Sequence, residues 1–142
     1  MTMVSELIER KGPTLYSVEP EDPVLEAIRL MAEHHVGALL VMRGAELQGI
    51  ISERDYARKV ILHGRSSAET PVWQIMSSPV ITVTPAQTVQ DCMHLMTERR
   101  VRHLPVVDAG RVVGIISIGD LVKAVIEDQQ QTIEQLESYI HS

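Results

Sequence analysis

The chain repeats itself. Residues 15–61 align with residues 80–126 at a constant offset of 65, without a gap, and 16 of the 47 pairs are identical, including Pro20/Pro85, Val24/Val89, Met31/Met96, Val36/Val101, Gly49/Gly114, Ser52/Ser117 and Asp55/Asp120. A unit of ~60 residues buries too little apolar surface to be stable alone, so two such units are expected to pack their sheets on one another. The division reads as residues 1–65 and 66–142. Val4–Ile8 and Val72–Met76 look like short helices leading into each repeat, although there the spacing differs from the main offset by three residues.

Each unit spells the same order of elements. Asp22-Pro23 reads as an N-cap followed by proline at the first helical position, with Val24, Ala27, Ile28 and Met31 recurring at helical spacing. The second unit has Val89, Cys92, Met93 and Met96. Two apolar runs follow, Ala38–Met42 and Leu47–Ile51, joined by Arg43–Glu46 as a hairpin, with Asp108-Ala109-Gly110 as the corresponding loop. Ser52-Glu53-Arg54-Asp55 has the form of a capping box and opens a helix expected to run through Ile61; Ser117-Ile118-Gly119-Asp120 repeats it. The result is strand, helix, strand, strand, helix, written twice. The last helix continues past the repeat with Val122, Ile126, Ile133, Leu136 and Ile140 in a heptad-like stripe interrupted by Gln129–Gln131. Two readings of that stripe stand: a face docked on its own domain, or one packed on a partner chain.

Charge narrows the partners. Thirteen Lys and Arg against nineteen Asp and Glu leave a net charge of −6, which argues against sequence-independent nucleic-acid binding. Phe is absent and only Trp73 and three Tyr supply rings, so stacking platforms for single strands are missing. The longest apolar run, Val36–Met42, is far short of the ~20 residues a bilayer-spanning helix needs. The first residues have neither the basic start nor the apolar stretch of a secretory signal, and Cys92 is a lone thiol. A cytoplasmic protein is expected.

The repeated Gly-x-x-Ser-x-x-Asp string carries the chemistry. Its hydroxyl and carboxylate lie at a strand-to-helix junction, where free backbone N–H groups and the helix dipole attract phosphate and an Asp in the first turn can accept both hydrogen bonds of a vicinal diol. A capping box alone also explains Ser and Asp, but its occurrence twice at one offset favours a site.

The double βαββα pattern, the segment Val101-Arg102-His103-Leu104-Pro105-Val106-Val107-Asp108 and both Gly-x-x-Ser-x-x-Asp strings resemble tandem cystathionine-β-synthase (CBS) domains, the pair often called a Bateman module. The resemblance covers nearly the whole chain. It implies an α+β fold of two repeats packed as a pseudo-symmetric pair with a C-terminal helical extension. It also implies a non-catalytic regulatory module that binds adenosyl ligands, namely AMP, ADP, ATP, NAD(H) or S-adenosylmethionine, in two clefts between the repeats. By the same resemblance, Asp55 with Ser52 and Asp120 with Ser117 take ribose and the adjoining phosphate. Tyr16 and Ile81, with Val36, Gly37 and Ala38, flank adenine, and Arg102 and His103 reach phosphates. Such modules usually form homodimers and act through a regulated protein that the sequence does not identify.

The first repeat departs from that pattern by having Gly37 and Ala38 where the second has Arg102 and His103. Arg54 in the first turn of its capped helix is a candidate replacement cation, whereas the second repeat has Gly119 there, which allows close approach of ligand to backbone. Arg58 and Lys59, further along, read as surface charges. Unequal affinities at the two sites follow.

An enzyme is not expected: G-x-G-x-x-G, P-loop and H-E-x-x-H motifs are absent, and Gly114–Gly119 misses the nucleophile elbow by one residue. His34 and His35 point about 100° apart on a helix, so no metal site is expected. Cys92 aligns with Ala27 on the apolar face and reads as core. The alternative function is a ligand-independent dimerisation or interaction module.

Overall fold

The computed structural model describes residues 2–141 and divides the chain into two compact units. One is Leu15–Ile81; the other draws the described residues before Leu15 together with those from Thr82 onward. These limits differ from the sequence division at 65/66, and hydrogen bonding of the leader segments gives the reason, as described below.

In the unit Leu15–Ile81, strand β1 (Ser17–Val18) pairs in parallel with β2 (Ala38–Arg43), which pairs antiparallel with β3 (Glu46–Ser52). Helix α2 (Val24–His34) lies between β1 and β2 in the chain. Its Val24, Ala27 and Met31, one per turn, join Leu39, Val41 and Ile51 in a core with under 4% of each residue exposed. Burial of each large aliphatic side chain is worth roughly 1.5–3 kcal/mol before entropy is counted. The other unit repeats the plan with α4 (Val89–Arg99), β4 (His103–Asp108) and β5 (Arg111–Ser117), and its first strand is reduced to a parallel bridge between Val83 and Val106. Cys92 is fully buried there beside its neighbours on the apolar face, and burial first, then the Asp91 charge, raise its thiol to about 11.

The turns follow local chemistry. The second hairpin turns on Ala109 and Gly110, both at positive φ, and the first on Gly44 at φ +60° with Ala45. At the start of α2, Pro23 rather than Asp22 occupies the N-cap position, and no side chain caps the helix. Asp22 instead accepts the Glu19 N–H, while the first free helical donors, Val24 N–H and Leu25 N–H, reach the carbonyls of Thr70 and Ser67. Helix α4 is capped as a box by Thr88 and Asp91.

The leader segments exchange. Helix α1 (Val4–Lys11) precedes the first repeat in sequence but bonds to the second: Val4 N–H donates to Gln87, Ser5 N–H to Pro85, and Val89 N–H to Thr2. The short 3-10 turn Val72–Gln74 precedes the second repeat and makes the matching bonds to the first, Val72 to Asp22, Trp73 to Pro20, and Val24 back to Thr70. Each leader therefore completes the repeat it does not introduce.

The final elements differ between units. In the first, α3 (Glu53–Tyr56) widens into a π turn (Ala57–Ile61) rather than continuing as a regular helix to Ile61. In the second, α5 (Ile118–His141) is one continuous helix of 24 residues. Val122, Ile126, Ile133, Leu136 and Ile140 are all exposed on it, together with Ile118 and Tyr139.

Candidate functional site

Both Ser-x-x-Asp strings form the expected capping box. Ser52 Oγ accepts the Asp55 N–H at 3.2 Å and the Asp55 Oδ2 accepts the Ser52 N–H at 3.0 Å; the corresponding bonds of Ser117 and Asp120 are 3.2 and 2.8 Å. The next free donor of each helix also finds a fixed partner. Glu53 N–H donates to the Gly37 carbonyl and Ile118 N–H to the Arg102 carbonyl. Those bonds tie the backbone of Gly37 to the start of α3 and that of Arg102 to the start of α5. The strand register adds to this, with Ala38 opposite Ser52 and His103 opposite Ser117.

The repeated glycine has a packing role. A Cβ on Gly49 would stand 2.6 Å from Met76 Sδ and 2.9 Å from the Ser77 carbonyl; on Gly114 it would stand 2.2 Å from Ile8 Cδ1. Met76 and Ile8 hold equivalent places in the exchanged leaders, so each glycine lets a leader lie against its strand, β3 or β5. The leaders in turn deliver groups to the carboxylates.

At Asp55, Oδ2 accepts the Ser52 N–H and Oγ–H, while Oδ1 pairs with the Lys59 ammonium at 3.2 Å and with Ser77 Oγ at 3.5 Å. Lys59 also donates to the Ile75 carbonyl at 2.9 Å, so this surface charge, with 43% of its side chain exposed, is at the same time a partner of Asp55. At Asp120, the Lys11 ammonium of α1 lies 2.7 Å from Oδ2 and donates to the Ile115 carbonyl at 2.8 Å. Burial pushes the Asp120 carboxyl up, but the bonds from Lys11 and Ser117 and the Lys11 charge outweigh it and hold the group below its ordinary value. The two repeats thus place an ammonium between the carboxylate and a backbone carbonyl by different routes. The position aligned with Lys59 is Ala124, which is buried. Sequence reading missed Lys11 because nothing local links it to Asp120.

The surroundings are unequal. All the bonds accepted by Asp120 fall on Oδ2, so among the described residues Oδ1 takes none. On the same helix, Ile118, Gly119, Val122, Lys123, Ile126 and Glu127, with Arg102, line an open groove of about 710 Å³. A smaller cavity of about 140 Å³ joins Asp120 to Arg10, Lys11, Lys123 and Glu127. Arg102 and Lys123 form no ion pair among the described residues. Arg54 is half-buried in the first turn of α3, close in sequence to Asp55, where Gly119 of the second repeat is exposed. Tyr16 packs on the core of its unit with its ring stacked on His34, centroids 3.8 Å apart and planes 12° apart, and its carbonyl accepts the Leu40 N–H. Ile81, paired with Tyr16 by the repeat, is half-buried at the end of the unit Leu15–Ile81.

Comparison with known proteins agrees with this architecture. The chain is 40% identical to the CBS domain-containing protein CBSX3, mitochondrial, of Arabidopsis thaliana, an alignment spanning 98% of this chain and 72% of that one. A CBS-domain protein of known structure from Burkholderia ambifaria MC40-6 is 53% identical, with a TM-score of 0.87 and coverage of 90% of this chain and 96% of that one. The CBS domain pair of protein MJ0100, solved with 5′-methylthioadenosine and S-adenosyl-L-methionine, shares the fold at 22% identity and a TM-score of 0.79, covering 90% of this chain and 98% of that one. The CBS domain family matches residues 4–62 and 72–127, each span taking in one Ser-x-x-Asp box, and the chain accordingly belongs to the CBS-domain proteins as a tandem pair.

Proposed function

We propose that the chain is a non-catalytic regulatory module that binds an adenine nucleotide, AMP, ADP, ATP or NAD(H), and signals by changing its packing or its contacts with a partner protein. The observation that carries this reading is the surroundings of Asp120. Among the described residues, Asp120 has a carboxylate oxygen without an internal bond and lines a small cavity with Lys11 and Lys123, and Lys123 also lines a larger groove with Arg102, Gly119 and Glu127. The diol of a ribose fits the first feature and an attached phosphate the second. Asp55, whose two oxygens are both engaged, is the weaker site. The adenosyl ligands of the MJ0100 pair support the ligand class. Binding transmits a signal only if the ligand prefers one arrangement of the module over another.

The second reading, a ligand-independent dimerisation module, is favoured by one fact: each aspartate already serves a capping box and pairs with a lysine. Calorimetric titration with AMP, ATP and NADH separates the two. The nucleotide reading expects saturable binding that the double variant Asp55→Ala, Asp120→Ala abolishes. Binding unchanged in that variant defeats the site assignment, and no heat with any of the three ligands leaves the second reading standing.

A further inference from the structure

We infer that Lys11 makes the Asp120 site select ligands that carry a phosphate over the bare nucleoside. This rests on the nucleotide reading above and concerns a residue that lies outside the gapless match of residues 15–61 with 80–126. The Lys11 ammonium and the Ser117 N–H both bond Asp120 Oδ2, at 2.7 and 2.8 Å. A vicinal diol can place one hydroxyl on Oδ1, but its second hydroxyl needs Oδ2, where two donors are already seated. Lys11 must withdraw for the diol to bind with both hydroxyls.

Withdrawal leaves the ammonium in poor company. The cavity it lines also holds Arg10 and Lys123, and the carboxylate remaining there, Glu127, is taken by Arg10 at 3.0 Å. Moving away is also constrained, because α1 is tied to α5 by that pair, and Thr2, just ahead of α1, donates its Oγ1–H to Asp128. A neutral nucleoside therefore displaces a salt bridge and returns nothing to the displaced cation. A ligand bearing phosphate supplies the missing anion, and Lys11 passes from Asp120 to the ligand beside Lys123. The Lys11 side chain is 39% exposed, so water shares in its solvation and the expected effect is about tenfold, the lower end for a charge-assisted hydrogen bond. The first repeat lacks this device: Lys59 rides on the same helical segment as Asp55, and its leader contributes the neutral hydroxyl of Ser77.

The test uses the full chain carrying Asp55→Ala, which silences the first site, and measures adenosine, AMP and ATP by calorimetry with Lys11, Lys11→Met, Lys11→Gln and Lys11→Arg. With Lys11, AMP and ATP are expected to bind more tightly than adenosine. Both neutral variants should narrow that preference about tenfold, by weakening AMP and ATP while adenosine is unchanged or tighter; Lys11→Arg should keep it. Two neutral substitutions of different shape guard against a folding defect in either. A preference that survives in Met and Gln, or an equal loss for all three ligands, overturns the inference while leaving the nucleotide reading intact. Failure of the Lys11 chain to bind any of the three removes both.

Discussion

Asp120 shows how one side chain can serve structure and the proposed ligand together. Its carboxylate closes a capping box, neutralises Lys11 and keeps one oxygen open, and a titration separates the first two roles. Because its carboxyl is depressed in the folded chain, it contributes stability that is fully present above the unfolded Asp value of about 3.9 and is lost as pH falls through the lower folded value. Lys11→Met removes two of the depressing influences and leaves burial, which raises. The variant is therefore expected to be less stable than the parent at neutral pH, with the difference vanishing as pH falls through the parent's depressed Asp120 value, below which the carboxyl is protonated in both. Thermal midpoints measured across the acid range check this; a deficit independent of pH would show that Lys11 acts through packing alone. The capping boxes themselves were legible because Ser and Asp three apart interact within a single turn. The pairing of Lys59 with Asp55 was not legible, because a spacing of four residues is also that of any exposed pair along one helical segment.

At the scale of elements, the exchanged leaders explain why glycine opens each motif. At Gly49 an added methyl meets a backbone carbonyl as well as Met76, whereas at Gly114 it meets the terminal methyl of Ile8, which can rotate aside. Gly49→Ala is expected to destabilise by about 1–3 kcal/mol and Gly114→Ala by less, as read from urea unfolding of the two variants. Equal costs would mean that Ile8 is as confined as the backbone at Ser77. Sequence reading placed glycine in the motif as part of an anion site. Its role in admitting α1 and the 3-10 turn emerges only once the leaders are seen against β5 and β3. The cap of α2 follows the same lesson: Asp22 has the right chemistry for an N-cap, but the carbonyls of Ser67 and Thr70, brought in by the second leader, occupy those donors first.

For the whole molecule the conspicuous exposed feature is the apolar stripe along the later turns of α5. Ile126, Ile133, Leu136 and Ile140 lie at successive steps of seven, three and four residues and all are about half exposed or more, with Gln129 at the polar break. A second copy of the chain is the partner we propose for this stripe. Truncation after Asp128 is expected to shift the molar mass measured by light scattering from dimer toward monomer while nucleotide affinity persists; an unchanged mass assigns the stripe another purpose. What the sequence determined by itself is what short-range physics encodes. Apolar period, turn residues and the i,i+3 box settled two βαββα repeats, both Ser-x-x-Asp junctions and the buried Cys92, because each depends on neighbours within a turn or a hairpin. What tertiary structure alone decided is which distant groups complete those junctions. Lys11 reaches Asp120 across 109 residues, and no spacing rule spans that gap. The chain's repeat offset applies to strands and helices, whereas the leaders are set three residues out of step, so their exchange becomes visible only where backbone donors find their acceptors.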